Sequence, residues 1–273
     1  MYFLGRWCYF KSLKSVQTAF LLSVYVFILL YLYLAVTSLL LSKISLRVYI
    51  FFSLGSDSEF SVLRFPKESH EGFARVRVSF PAMSSVSVCV RVQWDTEWTD
   101  VSTVFSYAAP VLTNEFQLRG RVDTQGRIHL ALIIHGKHFP YKASFANDGA
   151  WHHTCVTWSR MSNHWAIYVD GDRKDMGSGT DMDRDIHGDG ILILGQDQDS
   201  FGGNFTEPFF GNITDLNVWN VSLETRHVRA LNLCSATIRE KLFSWNLSLI
   251  DSHHVVKEVK APLFCPGRIT VYL

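Results

Sequence analysis

Apolar and polar residues alternate with a period of two along much of the chain from Phe73 onward. The segments FARVRVSF (73–80) and VSVCVRVQW (86–94) show this most clearly, and they predict strands because successive side chains of a strand point to opposite faces. In the second segment the valines and Trp94 share one face, whereas Cys89 lies on the other. Similar short runs, separated by Gly, Asp and Asn turn signals, are VFSYAA, EFQLRG, IHLALII, HTCVTWS, HWAIYVDG, ILILG and ITDLNVWN.

These runs predict an all-β body of about ten short strands. Their number and the length of the body fit a two-sheet antiparallel sandwich, in which each sheet buries one face against the other. One short helix is expected near residues 222–231, where SLETRHVRAL offers a capping serine, an early acid and later bases. Because no internal repeat or low-complexity linker interrupts the body, the sequence predicts a single domain over residues 58–270.

The N-terminal part has a different pattern. Residues 19–42, AFLLSVYVFILLYLYLAVTSLLLS, form an uncharged run of 24 residues. This is longer than the roughly 20 residues that cross a membrane as a helix, and longer than the apolar core of about 7–15 residues in a secretory signal. We expect an apolar helix that acts as an uncleaved transmembrane signal anchor, with a long cleavable signal peptide as the alternative. A short basic segment (1–18) precedes the run and a linker (43–57) follows it.

Charge is distributed unevenly between the two parts. Residues 1–55 carry five of the 26 basic residues and no acid, which leaves 21 basic against 25 acidic residues in the body. The basic residues lie on both sides of the apolar run with a slight excess before it, which favours a cytosolic N-terminus and a translocated body. Nucleic acid is not expected as a partner, because phosphate binding needs clustered basic charge.

Two further signals place the body in an extracellular or luminal compartment. Asn-x-Ser/Thr acceptors for N-glycosylation occur at four positions, Asn204, Asn212, Asn220 and Asn246. After Cys8, which precedes the apolar run, four cysteines remain, Cys89, Cys155, Cys234 and Cys265. An even number fits two disulfides in an oxidising environment, with three connectivities open. The body is therefore expected either on the extracellular face of a membrane, as a type II anchored protein, or in secreted form.

The segment HTCVTWS, residues 153–159, resembles the signature of the pentraxin family, in which a histidine, a cysteine, a hydroxyl residue and a tryptophan recur at this spacing. Other segments resemble pentraxin segments in the family's order: FPKES (65–69), VFSYA (104–108), YVDG (168–171), ILGQDQDSFGGNF (193–205) and NVWN (217–220). The resemblance implies a flattened jelly-roll sandwich with a helix on one face. It also implies a disulfide between Cys89 and Cys155, and it makes Cys234 and Cys265 similar to the extra C-terminal pair of longer members such as the neuronal pentraxins.

The stretch GQDQDSFGGNF is the main candidate for chemistry. Calcium takes six to eight oxygen ligands, and Asp197, Gln198 and Asp199 offer two carboxylates and a carbonyl on one turn. The resemblance implies that a distant loop contributes Asn114. Beyond the Gly-Gly-Asn-Phe turn, Glu207 is a weaker candidate ligand.

Two departures from the family pattern reduce the expected affinity for calcium. Thr113 and Thr206 stand where the resemblance implies acids, so we expect one modest calcium site and doubt a second. The phenylalanine that packs against choline in phosphocholine-binding members aligns with Arg119, so that specificity is not implied.

Catalysis is not expected. A glycoside hydrolase of this architecture would need a third acid where Gly202 stands, and no nucleophile elbow, His-Glu-x-x-His motif or phosphate loop is present. Two hypotheses remain. One is calcium-assisted recognition of an extracellular ligand, whether protein, glycan or anionic head group. The other is a calcium-independent adhesion or receptor ectodomain, such as the front end of an adhesion-type G-protein-coupled receptor, that binds a protein at the cell surface. Both a homo-oligomer and a monomer remain open.

Overall fold

The computed structural model describes residues 31–33, 61–179, 184–235 and 237–258. In the part from residue 61 onward the chain forms short antiparallel strands and one α-helix, α1 (Thr225–Asn232), with a 3-10 turn at Leu247–Leu249. In chain order the strands are β1 (Val62–Phe65), β2 (Phe73–Val76), β3 (Ser85–Trp94), β4 (Ser102–Ala109), β5 (Leu112–Val122), β6 (Arg127–Ile134), β7 (Lys137–His138), β8 (Ala143–Ala146), β9 (Trp151–Ser159), β10 (His164–Val169), β11 (Asp172–Ser178), β12 (Ile191–Leu194), β13 (Asp197–Ser200), β14 (Gly203–Thr206), β15 (Gly211–Trp219), β16 (Lys241–Ser244), β17 (Ile250–His253) and β18 (Val256–Glu258).

The strands form two eight-stranded sheets, which confirms the predicted all-β sandwich. The first sheet has the order β11-β10-β9-β3-β15-β1-β18, with β16 paired to β15. The second sheet has the order β17-β2-β12-β4-β5-β6-β7, with β8 paired to β6. Strands β13 and β14 form a separate two-stranded hairpin.

The main core lies between the inner faces of the two sheets. The alternating valines of β3 and Trp94 all belong to it, as the period-two pattern predicts. Phe116 and Leu118 of β5 enter the same core from the second sheet, so the polar residues between them face outward. Gly120 is required here, because a Cβ at this position would lie 2.5 Å from the ring of Trp94.

A smaller core covers part of the outer face of the first sheet. Cys89 and Cys155 lie opposite each other on β3 and β9 and form a disulfide, with their Cα atoms 4.1 Å apart. Val228 of α1 packs over them together with Trp219 and other apolar side chains. The predicted pairing of these cysteines is confirmed. Their side chains do not reach solvent, however, because the helix covers the face that the strand pattern marks as more polar.

The predicted helix is present but begins three residues later than expected. Ser222 does not cap it. Leu223 is buried in the smaller core, so the chain remains extended there, and Glu224 takes the N-cap position. The backbone N–H of Glu224 donates to Nδ1 of His227 at 3.4 Å.

The predicted apolar segment, residues 19–42, lies outside the described residues except for 31–33, which are helical and exposed. Among the described residues, no helix is long and apolar enough to cross a membrane. The signal anchor, the signal peptide and the linker therefore stay predictions.

Candidate ligand-recognition site

The candidate site lies on the outer face of the second sheet, where the hairpin β13–β14 meets β4 and β5. Gly195 directs the chain out of β12 into this hairpin, with φ of +84° and a position where a Cβ would lie 2.2 Å from the ring of Phe65. Both facts require glycine. Gln196 then fixes the start of the hairpin, since its amide donates to the carbonyls of His70 and Gly72 at 2.7 and 3.2 Å.

Asp197, the first predicted ligand, is buried and fully engaged with protein groups. It is 3% exposed, and its carboxylate forms an ion pair with the Arg119 guanidinium. Gln117 Nε2 donates to Asp197 Oδ1 at 2.7 Å, and the backbone N–H of Gln198 donates to the same oxygen at 2.7 Å. The negative charge of Asp197 is thus balanced by an arginine on the neighbouring strand β5.

Glu207 approaches the same arginine from the other end of the hairpin. Arg119 Nη1 lies 3.0 Å from both Oε1 and Oε2 of Glu207, and Thr103 Oγ1 donates to Oε2 at 3.2 Å. Burial raises the pKa of the Glu207 carboxyl, and the nearby Arg119 guanidinium opposes that shift. The one-residue slip considered for Glu207 therefore does bring its carboxylate to the site.

The other predicted ligands behave differently from one another. Asn114 joins the network through Gln117, whose Nε2 donates to Asn114 Oδ1 at 2.6 Å. The side chain of Gln198 is buried and donates to the carbonyls of Ser106 and Ile191 at 3.0 and 3.1 Å, so it holds the hairpin on the sheet. Asp199 is exposed to solvent. The structure thus brings together Asn114, Asp197 and Glu207 and leaves Asp199 apart.

This arrangement does not fit a calcium ion. Calcium needs six to eight oxygen ligands directed at one point, but here a guanidinium lies between Asp197 and Glu207 and uses their oxygens. A second cation beside Arg119 would also be repelled. Among the described residues, the one group of three potential metal ligands is Cys89, His153 and Cys155, and its two cysteines are oxidised to a disulfide.

Sequence reasoning missed the role of Arg119 and Gln117. The signal was present, because positions 115, 117, 119 and 121 of EFQLRGR alternate with core residues and therefore share the outer face of β5. Arg119 was recognised only as the replacement of a choline-contacting phenylalanine. Its length and charge, which let it reach two acids of the hairpin, were not considered.

A second buried acid, Glu115, lies on the same face of β5. Its carboxylate accepts the backbone N–H of His187 at 2.9 Å, and Arg184 Nη1 lies 3.3 Å from both of its oxygens. His135 Nδ1 lies 3.3 Å from Oε1. Burial by itself would raise the pKa of Glu115, but the hydrogen bonds from His135 and His187 outweigh it and lower the pKa to about 2.

The tip of the hairpin presents an exposed aromatic side chain. Phe201 is 44% exposed and lines a surface groove of about 460 Å³ together with residues of β2, β12 and β17. Arg75 and Arg77 line the groove as well, and Arg77 forms an ion pair with Asp251 at 3.3 Å. The groove is therefore mixed in charge, with an apolar element at one side.

The predicted glycosylation positions differ in accessibility. Asn204, Asn220 and Asn246 are exposed. Asn246 also caps the 3-10 turn, because its Oδ1 accepts the backbone N–H of Ser248 at 2.9 Å. Asn212 lies within β15, where its Nδ2 donates to Gln93 Oε1 at 2.7 Å and its Oδ1 is buried. A glycan on Asn212 would have to break that hydrogen bond.

Cys234 is disulfide-bonded. Its expected partner, Cys265, lies outside the described residues, so the pairing of these two cysteines stays a prediction.

Comparison with known proteins identifies the family. The model of the Pentaxin family, that of the pentraxins, matches residues 61–256. The chain belongs to this family. Among curated pentraxin relatives, human adhesion G protein-coupled receptor D2 is 35% identical over 76% of this chain and 22% of the relative. Human neuronal pentraxin receptor is 30% identical over 68% of this chain and 37% of the relative, and rat neuronal pentraxin-1 is 33% identical over 69% and 43%. This chain therefore spans less than half the length of these relatives.

Solved structures agree with the pentraxin fold. The native heptameric SAP-like pentraxin from Limulus polyphemus superposes with a TM-score of 0.69 at 24% identity, covering 78% of this chain and all of the other. The extracellular region of zebrafish Gpr126/Adgrg6 superposes with a TM-score of 0.55 at 16% identity, covering 75% of this chain and 26% of the other. At these identities the likeness concerns the fold alone.

Proposed function

We propose that this pentraxin domain is a non-catalytic extracellular recognition module that binds a protein partner and does so without calcium. The observation that carries the proposal is the ion-pair network of Arg119 with Asp197 and Glu207. It occupies the place where calcium-assisted recognition would need free carboxylate oxygens. An extracellular location is supported by the Cys89–Cys155 disulfide, which is typical of oxidising compartments.

The charge of the site argues against a choline-type head group. Arg119 is a cation at the position that aligns with a choline-contacting phenylalanine, and it would repel another cation. An anionic head group held through calcium is disfavoured for the reason given above. A protein surface needs neither, and Phe201 provides the kind of exposed aromatic anchor that protein interfaces favour.

The receptor-like relatives support an adhesion or receptor role over a soluble scavenging role. Human adhesion G protein-coupled receptor D2 and human neuronal pentraxin receptor are both named as receptors. Whether this chain is anchored in a membrane or secreted depends on residues 19–42, and whether it forms a homo-oligomer can be read from its mass by light scattering.

The test is binding of the full chain to cultured cells. The chain, clustered on streptavidin through a biotinylated C-terminal tag, is applied to a panel of cell types in about 2 mM calcium, a concentration that would occupy a typical extracellular calcium site, and again in EGTA. The proposal predicts binding that is equal in both buffers and is lost when the cells are first treated with protease. Binding that disappears in EGTA would support calcium-assisted recognition instead. Loss after glycosidase but not after protease would identify a glycan ligand.

Two variants refine the test. Phe201→Ala should weaken binding at least about fivefold, since an aromatic anchor typically contributes 1 kcal/mol or more to an interface. Met161→Ala is the matched control, because Met161 is 83% exposed in the turn between β9 and β10 of the other sheet. Equal binding of both variants and the wild type would remove Phe201 from the interface, and absence of binding to every cell type would count against the proposal.

A further inference from the structure

Arg119 lies between two acids that mark the two ends of one hairpin. Asp197 is the first residue of β13, and Glu207 directly follows β14. Asp197 pairs with Thr206 in the hairpin register, so the two acids lie at its base. Arg119 projects from β5 of the second sheet and contacts both carboxylates. One side chain therefore links the sheet to both strands of the hairpin.

Burial makes this link necessary. The side chain of Arg119 is 9% exposed, that of Asp197 is 4% and that of Glu207 is 30%. A carboxylate removed from water needs a positive partner or several hydrogen bonds, since otherwise it disfavours the folded state. Gln117 and the N–H of Gln198 supply hydrogen bonds to Asp197, but the positive charge at the network comes from Arg119.

The hairpin is attached to the sheet elsewhere by neutral contacts. Gln198 donates to Ser106 and Ile191, and Thr103 bonds Glu207 through both its hydroxyl and its backbone N–H. These contacts orient the hairpin but leave the charges of Asp197 and Glu207 uncompensated. The guanidinium is suited to this task because its fork of donors can address two carboxylates at once.

We infer that Arg119 is a built-in cation that replaces a bound metal ion in holding the hairpin β13–β14 against the second sheet. The inference deepens the proposed function, on whose calcium independence it rests. It also makes a reciprocal claim. When Arg119 is replaced by a neutral side chain, the exposed Asp199 and the freed oxygens of Asn114, Asp197 and Glu207 become available to an external cation, and calcium then stabilises the hairpin.

The test compares Arg119→Leu with the wild type, using the full chain purified in calcium and exchanged into EGTA. The melting midpoint of R119L in EGTA should fall by roughly 6–15 °C, which is the shift expected when a buried ion pair loses one partner in a domain of this size. Limited proteolysis should cut residues 197–207 faster in R119L. Calcium at about 2 mM, which suffices for a modest extracellular site, should recover at least half of the lost midpoint in R119L and leave the wild type unchanged.

Arg121→Leu is the matched control. Arg121 lies two residues further along β5 on the same face, where its guanidinium stacks over the Tyr141 ring at 4.9 Å instead of contacting the hairpin acids. R121L should differ little from wild type and should not respond to calcium. If R119L is as stable as R121L in EGTA, or if calcium leaves its deficit unchanged, the inference is overturned.

A second substitution covers the case in which R119L cannot be recovered. In Arg119→Lys a single ammonium group reaches one carboxylate well but not both, so its midpoint should lie below that of the wild type and rise with calcium. R119K that equals the wild type, or that is less stable without responding to calcium, would overturn the inference as well. Loss of cell binding by wild type in EGTA would instead contradict the proposed function, so the two failures are distinct.

Discussion

Arg119 and Asp197 form a buried ion pair between the second sheet and the first residue of the hairpin β13–β14. The pair explains why the acids of GQDQDSFGGNF do not form the metal site that their spacing predicts. Their charge is already compensated by a residue of the chain itself. The same stretch therefore keeps the shape of the family's loop with a different chemistry.

The pair should show strong energetic coupling. Replacement of either Arg119 by Leu or Asp197 by Asn should cost about 3–5 kcal/mol in EGTA, because each leaves a buried group without its partner. The double variant should be more stable than the sum of the two costs predicts, with a coupling of at least about 1.5 kcal/mol. Urea unfolding of the four proteins measures this, and additive costs would show that the two side chains do not act as a pair.

Glu115 should make the domain sensitive to acid. Its pKa is about 2 in the folded protein and 4.5 is its ordinary value, so its stabilisation is complete above about pH 4.5 and is lost as the pH falls toward 2. The difference corresponds to on the order of 3 kcal/mol at neutral pH. The free energy of unfolding of Glu115→Gln should therefore fall below that of wild type at pH 7, and the two should converge near pH 3. Glu68→Gln, at an exposed position, is the control and should parallel the wild type; a gap for Glu115→Gln that stays constant with pH would contradict the assignment.

The Cys89–Cys155 disulfide closes a loop with a sequence separation of 66 residues. In the chain-entropy model a loop of this length contributes about 4 kcal/mol. Replacement of both cysteines by alanine should lower the free energy of unfolding by an amount of this order and lower the secreted yield. A loss below about 1 kcal/mol would show that packing of α1 over the strands is sufficient without the cross-link, since engineered and native bridges vary in their contribution.

Glycan occupancy should differ among the four acceptor positions. Asn204, Asn220 and Asn246 are exposed and should carry glycans on chain produced in mammalian cells, whereas Asn212 should be mostly unmodified because its Nδ2 is bonded to Gln93. Enzymatic deglycosylation in heavy-oxygen water followed by peptide mass mapping gives the occupancy of each position. High occupancy at Asn212 would contradict the local structure of β15.

Strands with one buried face could be predicted from the sequence, whereas polar strands could not. The valines of β3 give a clear period-two pattern and lie in the core as expected. Strand β11, DRKDMGS, has no such pattern because it is an exposed edge strand held by pairing to β10. Strands β13 and β14 were interpreted as a loop for the same reason, since their side chains contact the second sheet and do not enter the core.

The candidate site was predicted correctly in place but not in chemistry. The residues that line it could be found because Asp197, Asn114 and Glu207 carry recognisable oxygen ligands. What the sequence does not show is which charged side chains from distant strands contact them. Arg119 is 78 residues away from Asp197 along the chain, and the pair is visible only once β5 and β13 are placed side by side.

Calorimetric titration of the wild-type chain with calcium tests the central claim most directly. Ion pairing of Asp197 and Glu207 with Arg119 predicts no saturable heat up to about 5 mM calcium, a range that covers typical extracellular calcium sites. Saturable binding with a Kd below about 1 mM, together with a rise in melting midpoint, would contradict the account and restore calcium as the cation of this site.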